Sequence, residues 1–237
     1  MSPQKAERSS LHLTAQRLRD ISLTCCEGDL LGSEDEVLDR LGVSRVTLKQ
    51  AARLLEQEGL VRVRRGVNGG YYAARPTEET LTSVASAYLQ AIEVAAADIL
   101  SVTTVLWLEV VRRAGRARNV DLALALRGLV SVLKALPHDA TFHDLDIIEQ
   151  KSRRIIFDAI KCRYIELIMR INQSFGAQSS FSTSIHDHTD EHRVFMAAWR
   201  KAKILEMEAI ADGDIALAEV AARNCRNIWN KRVSIAM

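Results

Sequence analysis

The sequence predicts a mostly helical chain in two parts. The front part has three helices and a β-hairpin; the longer rear part is all helix. Three observations carry this. The 237 residues hold only three prolines and eleven glycines, so the residues that punctuate turns are scarce. Three of those glycines fall together at Gly66, Gly69 and Gly70. Between Gly59 and Ala74 the apolar pattern changes from a helical period to alternation.

Residues 6–26 can form a helix with apolar positions at Leu11, Leu13, Leu18, Ile21 and Leu23, ended by Gly28. Ser33 followed by Glu36 is a capping box that starts a short helix carrying Val37, Leu38 and Leu41. Gly42 interrupts it, and Ser44 caps a second helix. There Leu48, Ala51, Ala52 and Leu55 recur at i, i+3, i+4 and i+7, one buried face. The opposite face shows Val46, Lys49, Gln50 and Arg53, with Arg45 at its edge. Two short helices around a tight turn describe a helix-turn-helix. Leu60 to Arg65 then alternates apolar and basic residues, a strand signal. Gly66 to Gly70 turns the chain and Tyr71 to Ala74 returns as a second strand, forming a wing. Arg75-Pro76-Thr77 reads as the linker, because proline disfavours helix in the residue before it. The domains expected are therefore 1–76 and 77–237.

Behind the linker, helices are expected at about 78–92, 95–114, 120–135, 141–176 with a break, 189–211 and 214–233. Asn119 is a candidate N-cap, Pro137 and His138 separate two helices, and Gly176 to Ser184 is a serine-rich loop. Asp212-Gly213-Asp214 is a turn whose last residue caps the final helix.

Composition bounds the function. There are 32 Lys and Arg against 30 Asp and Glu, which is no general signature of a nucleic-acid binder. The balance is uneven, however. From Arg62 to Arg75 there are four arginines and no acid. No stretch approaches the ~20 apolar residues of a membrane span, and the first nineteen residues lack the apolar block of a signal peptide. A cytoplasmic protein is expected, with no membrane partner. Cys25, Cys26, Cys162 and Cys225 match neither a zinc spacing nor a Cys-x-x-Cys pair, so four reduced thiols are expected, three of them packed in helices.

The run from Leu31-Gly32-Ser33 through Leu41-Gly42-Val43-Ser44-Arg45-Val46-Thr47-Leu48-Lys49 to Glu58-Gly59-Leu60-Val61, with the Arg65-Gly66 and Gly69-Gly70-Tyr71-Tyr72 wing, resembles the winged-helix domain of GntR-family bacterial transcription regulators. The resemblance implies a dimer on a pseudo-palindromic double-stranded operator, with Ser33, Ser44, Arg45, Val46, Thr47, Lys49, Arg53, Arg64, Arg65 and Gly66 as the DNA-binding set. Physical chemistry is consistent with this. A helix N-terminus offers backbone N–H groups to a phosphate, Arg45 can fork onto guanine or onto a phosphate, and arginines at a wing suit a narrow minor groove. Four positions depart from the family pattern. Asp35 and Lys49 stand where the family usually has arginine, and Gln50 where it has glutamate. Val46 replaces the usual threonine. Operator preference unlike the family consensus is expected.

The all-helical rear resembles the FadR-like, or FCD, effector-binding class, on Gly213-Asp214 with Ala216, Ala218 and Ala221, and on Phe142-His143-Asp144-Leu145-Asp146. That class implies a homodimer and a small-molecule effector, an organic acid or acyl compound. Many members bind a metal through one Asp and three His. Those positions fall here on Lys203, Cys225 and a pair near Asp146 and Gln150 or Glu149 and Arg153. A cation at Lys203 repels a divalent ion, so the usual metal site is lost and no cofactor is expected. Arg153, Lys203, Asp146 and Cys225 are then the candidate effector residues, Arg153 and Lys203 as partners for a carboxylate or as members of ion pairs. The expected function is a transcriptional regulator, a repressor, and not an enzyme. The alternative is a metal-dependent protein with a rearranged site drawn from Asp139, His143, His186, His188 and His192.

Overall fold

The computed structural model describes residues 3–66, 69–178 and 187–235. It divides into two compact units, Met1–Leu81 and Thr82–Met237.

The first unit contains α1 (Pro3–Thr24), β1 (Leu30–Gly32), α2 (Glu34–Leu41), α3 (Arg45–Gln57), β2 (Val61–Arg64) and β3 (Gly70–Ala73). Local chemistry sets the helix ends. The Ser33 hydroxyl accepts the Glu36 N–H, and the Glu36 carboxylate accepts the Ser33 N–H at 2.7 Å. Those bonds hold the Glu36 carboxyl below its usual range, the backbone bond from Ser33 first. Gly42 ends α2 at φ 66°, a left-handed conformation that costs glycine little. Ser44 restarts the chain as α3 by accepting the Thr47 N–H at 3.2 Å.

The sheet order is β1-β3-β2, antiparallel throughout. Val61 pairs with Ala73 and Arg64 with Gly70. β1 pairs Leu30 with Tyr72, a third strand that sequence reading did not anticipate. Leu18, Leu41, Leu48, Leu55, Val61 and Tyr71 close the core between helices and sheet. On α1 only part of the expected apolar face is buried: Leu18 is inside, but Leu13 and Leu23 are exposed. Arg75, counted above with the basic stretch, turns inward. Its guanidinium donates to the carbonyls of Ser22 at 3.1 Å and Cys25 at 2.5 Å, satisfying the end of α1.

The second unit is helical: α5 (Ala96–Ala117), α6 (Val120–Ala135), α7 (Phe142–Ile160), α8 (Arg163–Gln178), α9 (Asp190–Asp212) and α10 (Ile215–Ile235), while α4 (Glu78–Ala91) runs across the division. The expected break inside 141–176 falls at Lys161, which takes φ 50°. The expected loop at 176–184 begins later, since α8 continues to Gln178, and its remainder lies outside the described residues. Asn119 and Asp214 cap α6 and α10 through bonds of 3.1 and 3.0 Å to Leu122 and Leu217. Trp107, Leu126, Leu133, Leu145, Ile156 and Trp199 are fully buried in a core where α9 packs on α6 and α10. All four cysteines are free. Three of the four were expected in helices, but one is: Cys225 is buried within α10, Cys162 is buried at the α7–α8 break, and Cys25 and Cys26 follow α1. Among the described residues no helix is long and apolar enough to cross a membrane.

Candidate functional site

In the first unit, α3 presents a polar N-terminus. Ser44 caps it, and the Ser44 and Thr47 hydroxyls lie 2.9 Å apart. Val46 is exposed, an apolar side chain on the outer face of the helix. Arg45 extends beside α2, where Glu34 meets its Nε at 3.0 Å and Asp35 its terminal nitrogen at 2.9 Å. Lys49 lies 3.5 Å from the same Glu34 carboxylate. The acidic first turn of α2 favours its own helix through the macrodipole and also holds the two cations of α3. Ser33 stands at the start of this turn with its hydroxyl engaged by Glu36.

An open groove of about 520 Å³ runs between α3 and the wing, where Lys49, Arg53, Arg64 and Arg65 stand with Glu34, Glu56 and the glycines Gly66 and Gly69. Arg64 lies over the Tyr72 ring at 4.4 Å, which aims it across the strand. Gly69 donates to the Gly66 carbonyl at 2.8 Å to tighten the turn. The structure therefore brings nine of the ten sequence-predicted residues onto one groove or its adjoining helix end. Ser33 is the exception, serving as a cap. Sequence reasoning missed Glu34 as the shared counterion of Arg45 and Lys49; its place in the acidic first turn of α2 was the available signal.

In the second unit a cavity of about 310 Å³ opens between α5, α7, α8 and α10. Ile99, Leu100, Phe142, Met169 and Trp229 give it apolar walls, and Asp146, Glu149, Arg153 and Arg226 supply charge. Phe142 and Trp229 are 4.8 Å apart. Beneath the wall lies an ion network. Glu149, fully buried, receives Arg226 in a very short contact, Arg153 at 3.0 Å and Lys203 at 3.1 Å. Lys203 also donates to Glu206 at 2.8 Å, and Glu206 accepts the Trp107 indole N–H at 3.2 Å. Burial by itself would raise the Glu149 carboxyl, but Arg226, Lys203 and Arg153 together hold it well below the usual carboxylate range. Burial, then Glu206, pushes the Cys225 thiol up, so it stays protonated.

Of the four candidate effector residues, Arg153 and Asp146 line the cavity. Lys203 and Cys225 are completely buried and do not. Lys203 is enclosed by its two carboxylates. Arg226, one residue beyond Cys225, was missed: its partner Glu149 is remote in sequence.

The described members of the rearranged metal site do not come together. Among the described residues no three His, Cys, Asp or Glu side chains gather as a metal would need. Asp139, His143 and His188 are exposed. His192 is buried, its Nε2 donating to the Ala140 carbonyl at 2.9 Å and its Nδ1 lying 3.6 Å from Asp187. That is a helix-anchoring role. His186 lies outside the described residues.

Comparison with known proteins adds the lineage. The family model of the bacterial regulatory proteins, gntR family, matches residues 15–68. No curated protein matches the chain. Among solved structures, GntR of Streptococcus agalactiae is similar at 19% identity and a TM-score of 0.54, over 94% of this chain and 98% of that one. A GntR family member from Pseudomonas syringae pv. tomato is 14% identical with a TM-score of 0.42, over 95% of this chain and 85% of that one. McbR/YncC of E. coli is 13% identical with a TM-score of 0.41, over 95% and 94%. The first of these shares the fold. Residues 15–68, which include the helix-turn-helix and the first strand of the wing, form a domain of the kind found in the bacterial regulatory proteins of the gntR family.

Proposed function

We propose that the chain is a cytoplasmic, homodimeric transcriptional repressor whose operator binding is modulated by a small organic acid or acyl effector held in the second unit. One observation carries the DNA-binding reading: the capped N-terminus of α3, with Arg45, exposed Val46, Thr47 and Lys49, borders the same groove as the arginines and glycines of the wing. A helix N-terminus and a fork-shaped cation suit phosphate and guanine, and Arg64 and Arg65 suit an adjacent minor groove. Two copies would read two half-sites of a pseudo-palindrome. Residues 77–237 would form the effector-binding and dimerisation domain, of FCD type. An effector that prefers one spacing of the two reading heads would shift operator affinity by linkage.

The test is a gel shift with DNA from upstream of the protein's own gene. A salt-sensitive complex that survives excess non-specific DNA is expected. Loss of the complex to non-specific competitor would refute the reading.

A further inference from the structure

We infer that the cavity of the second unit takes an uncharged acyl compound, an amide or ester, and discriminates against the free acid. This rests on the effector reading above and selects one of its two ligand classes.

The cavity and the network beneath it are electrically closed. Two cations and two anions line the cavity: Arg153 and Arg226, Asp146 and Glu149. Beneath them lies one of each, Lys203 and Glu206, in contact at 2.8 Å. Cys225 adds no charge, because burial keeps its thiol protonated. Residues 179–186, outside the described residues, carry no Asp, Glu, Lys or Arg. Three cations therefore face three carboxylates.

Each cation is already engaged. Glu149 receives Arg226, Arg153 at 3.0 Å and Lys203 at 3.1 Å, and Lys203 has Glu206 on its other side. Asp146 acts on Arg153 as well. Glu149, Lys203, Glu206 and Arg226 are each no more than 2% exposed, so water does not offset an added charge. A ligand carboxylate would give up its hydration and find no surplus cation. It would have to share an arginine with Glu149 or Asp146, and like charges in one site oppose each other. A ligand ammonium meets the same obstacle from Arg153 and Arg226.

The neutral part of the wall suits a dipole. Ile99, Leu100, Met169 and Trp229 surround an apolar body, and about 310 Å³ keeps that body small. Asn172 and Asn230 also line the cavity. Asn172 donates to the Thr103 hydroxyl at 2.9 Å and Asn230 to the Thr104 hydroxyl at 3.2 Å. A side-chain amide has two N–H donors and a carbonyl acceptor, so each keeps a donor and an acceptor to spare. Among the described residues nothing else takes them. A ligand carbonyl accepts from a spare N–H, and a ligand amide also donates to a spare oxygen. Both bonds form without burying a net charge.

Five probes separate the possibilities: hexanamide and hexanoate, phenylacetamide and phenylacetate, and the cation hexylamine. Each is titrated into the full chain by calorimetry at neutral pH in the presence of a chelator. At least one amide is expected to bind, at least tenfold more tightly than its own acid and than hexylamine. Asp146→Asn removes one of the three carboxylates and leaves a positive excess. It should reduce the preference for that amide over its acid at least tenfold, with the circular dichroism spectrum unchanged. Asp158→Asn, exposed on the same helix, should leave the preference as it is. Equal or tighter binding of the acid by the unaltered chain, no heat from either amide, or an unchanged preference in folded Asp146→Asn would overturn the ligand class. The effector reading is judged separately, by whether a bound amide or a cell metabolite extract changes operator affinity. Binding of an amide without any such change would leave the ligand class standing and refute the effector role. A response to the extract without binding of either amide would do the reverse.

Discussion

The carboxylate of Asp35 accepts a hydrogen bond from the Arg45 guanidinium at 2.9 Å, while Glu34 holds the same guanidinium from its Nε side at 3.0 Å. The residue at the tip of α3 best suited to reach DNA is thus held by two acids of α2. Both pairs are solvent-exposed enough to be weak and salt-screened. On the proposed DNA-binding role the clasp would compete with DNA for Arg45, and it contributes little to the fold. Asp35→Ala is expected to raise operator affinity several-fold. It should also steepen the dependence on salt, since each additional phosphate neutralised adds roughly 0.9 to the slope of log K against log salt. Fluorescence anisotropy at several salt concentrations reads both. Arg45→Ala should weaken the complex by about 1–3 kcal/mol. Unchanged affinity in Asp35→Ala would show that the clasp does not compete.

Val46 is exposed at the start of α3, flanked by polar and basic neighbours. An apolar side chain in a major groove gains from a thymine methyl rather than from a hydrogen bond. Replacing each operator thymine in turn by uracil deletes only that methyl. One position per half-site should lose affinity in the wild type and lose none in Val46→Ala. A uniform response across positions would remove Val46 from base readout.

How much of this was legible in the sequence depended on range. Helix ends were, because caps act within four residues: Ser33 with Glu36, Ser44 with Thr47, Asn119 with Leu122, Asp214 with Leu217. The break near Lys161 was visible only as an overlong helix. β1 was invisible, since Leu30–Gly32 has no alternation and exists as a strand only because Tyr71 and Tyr72 pair with it. The inward turn of Arg75 was equally hidden; a basic run does not tell which arginine caps a helix end. Above all the ion network joins Glu149 on α7, Lys203 on α9 and Arg226 on α10. Each alone reads as a solvated charge, and only the packing of α9 and α10 buries them together.

The wing turn gives a backbone test. A Cβ added at Gly69 would meet the carbonyl oxygens of Arg64 and Gly66, both at 2.8 Å. Neither is the movable end of a side chain, so the turn itself must shift. Gly69→Ala is expected to displace Arg64 and Arg65 and weaken operator binding roughly tenfold, on the order of the 1.4 kcal/mol that tenfold represents. The core of the unit rests on Leu18, Leu48 and Leu55, so its melting temperature should move little. A large fall in melting temperature would mean that the turn is a folding element and not only a DNA contact.

The buried network should set the acid limit of the fold. Glu149 is held below its ordinary value of 4.5 because three cations outweigh the cost of burial. In the unfolded chain it protonates near that ordinary value. Above it, both states are ionised and the native ion pairs contribute in full. As the pH falls below 4.5 the unfolded state takes up a proton that the native state refuses, and the contribution declines. Glu149→Gln leaves Arg226 and Lys203 without their shared anion and should destabilise by about 3–5 kcal/mol at neutral pH, the range for breaking a buried pair. Its stability should then fall less steeply below pH 4.5 than that of the wild type. The slope will not vanish, because Glu109, Asp144 and Glu219 are also held below their usual range, by bonds from Arg113, Thr141 and Arg112 respectively. Urea unfolding across pH 3–7 for both proteins checks this. Parallel curves would mean that Glu149 already binds a proton in the native state, and that the network carries one more positive charge than its geometry implies.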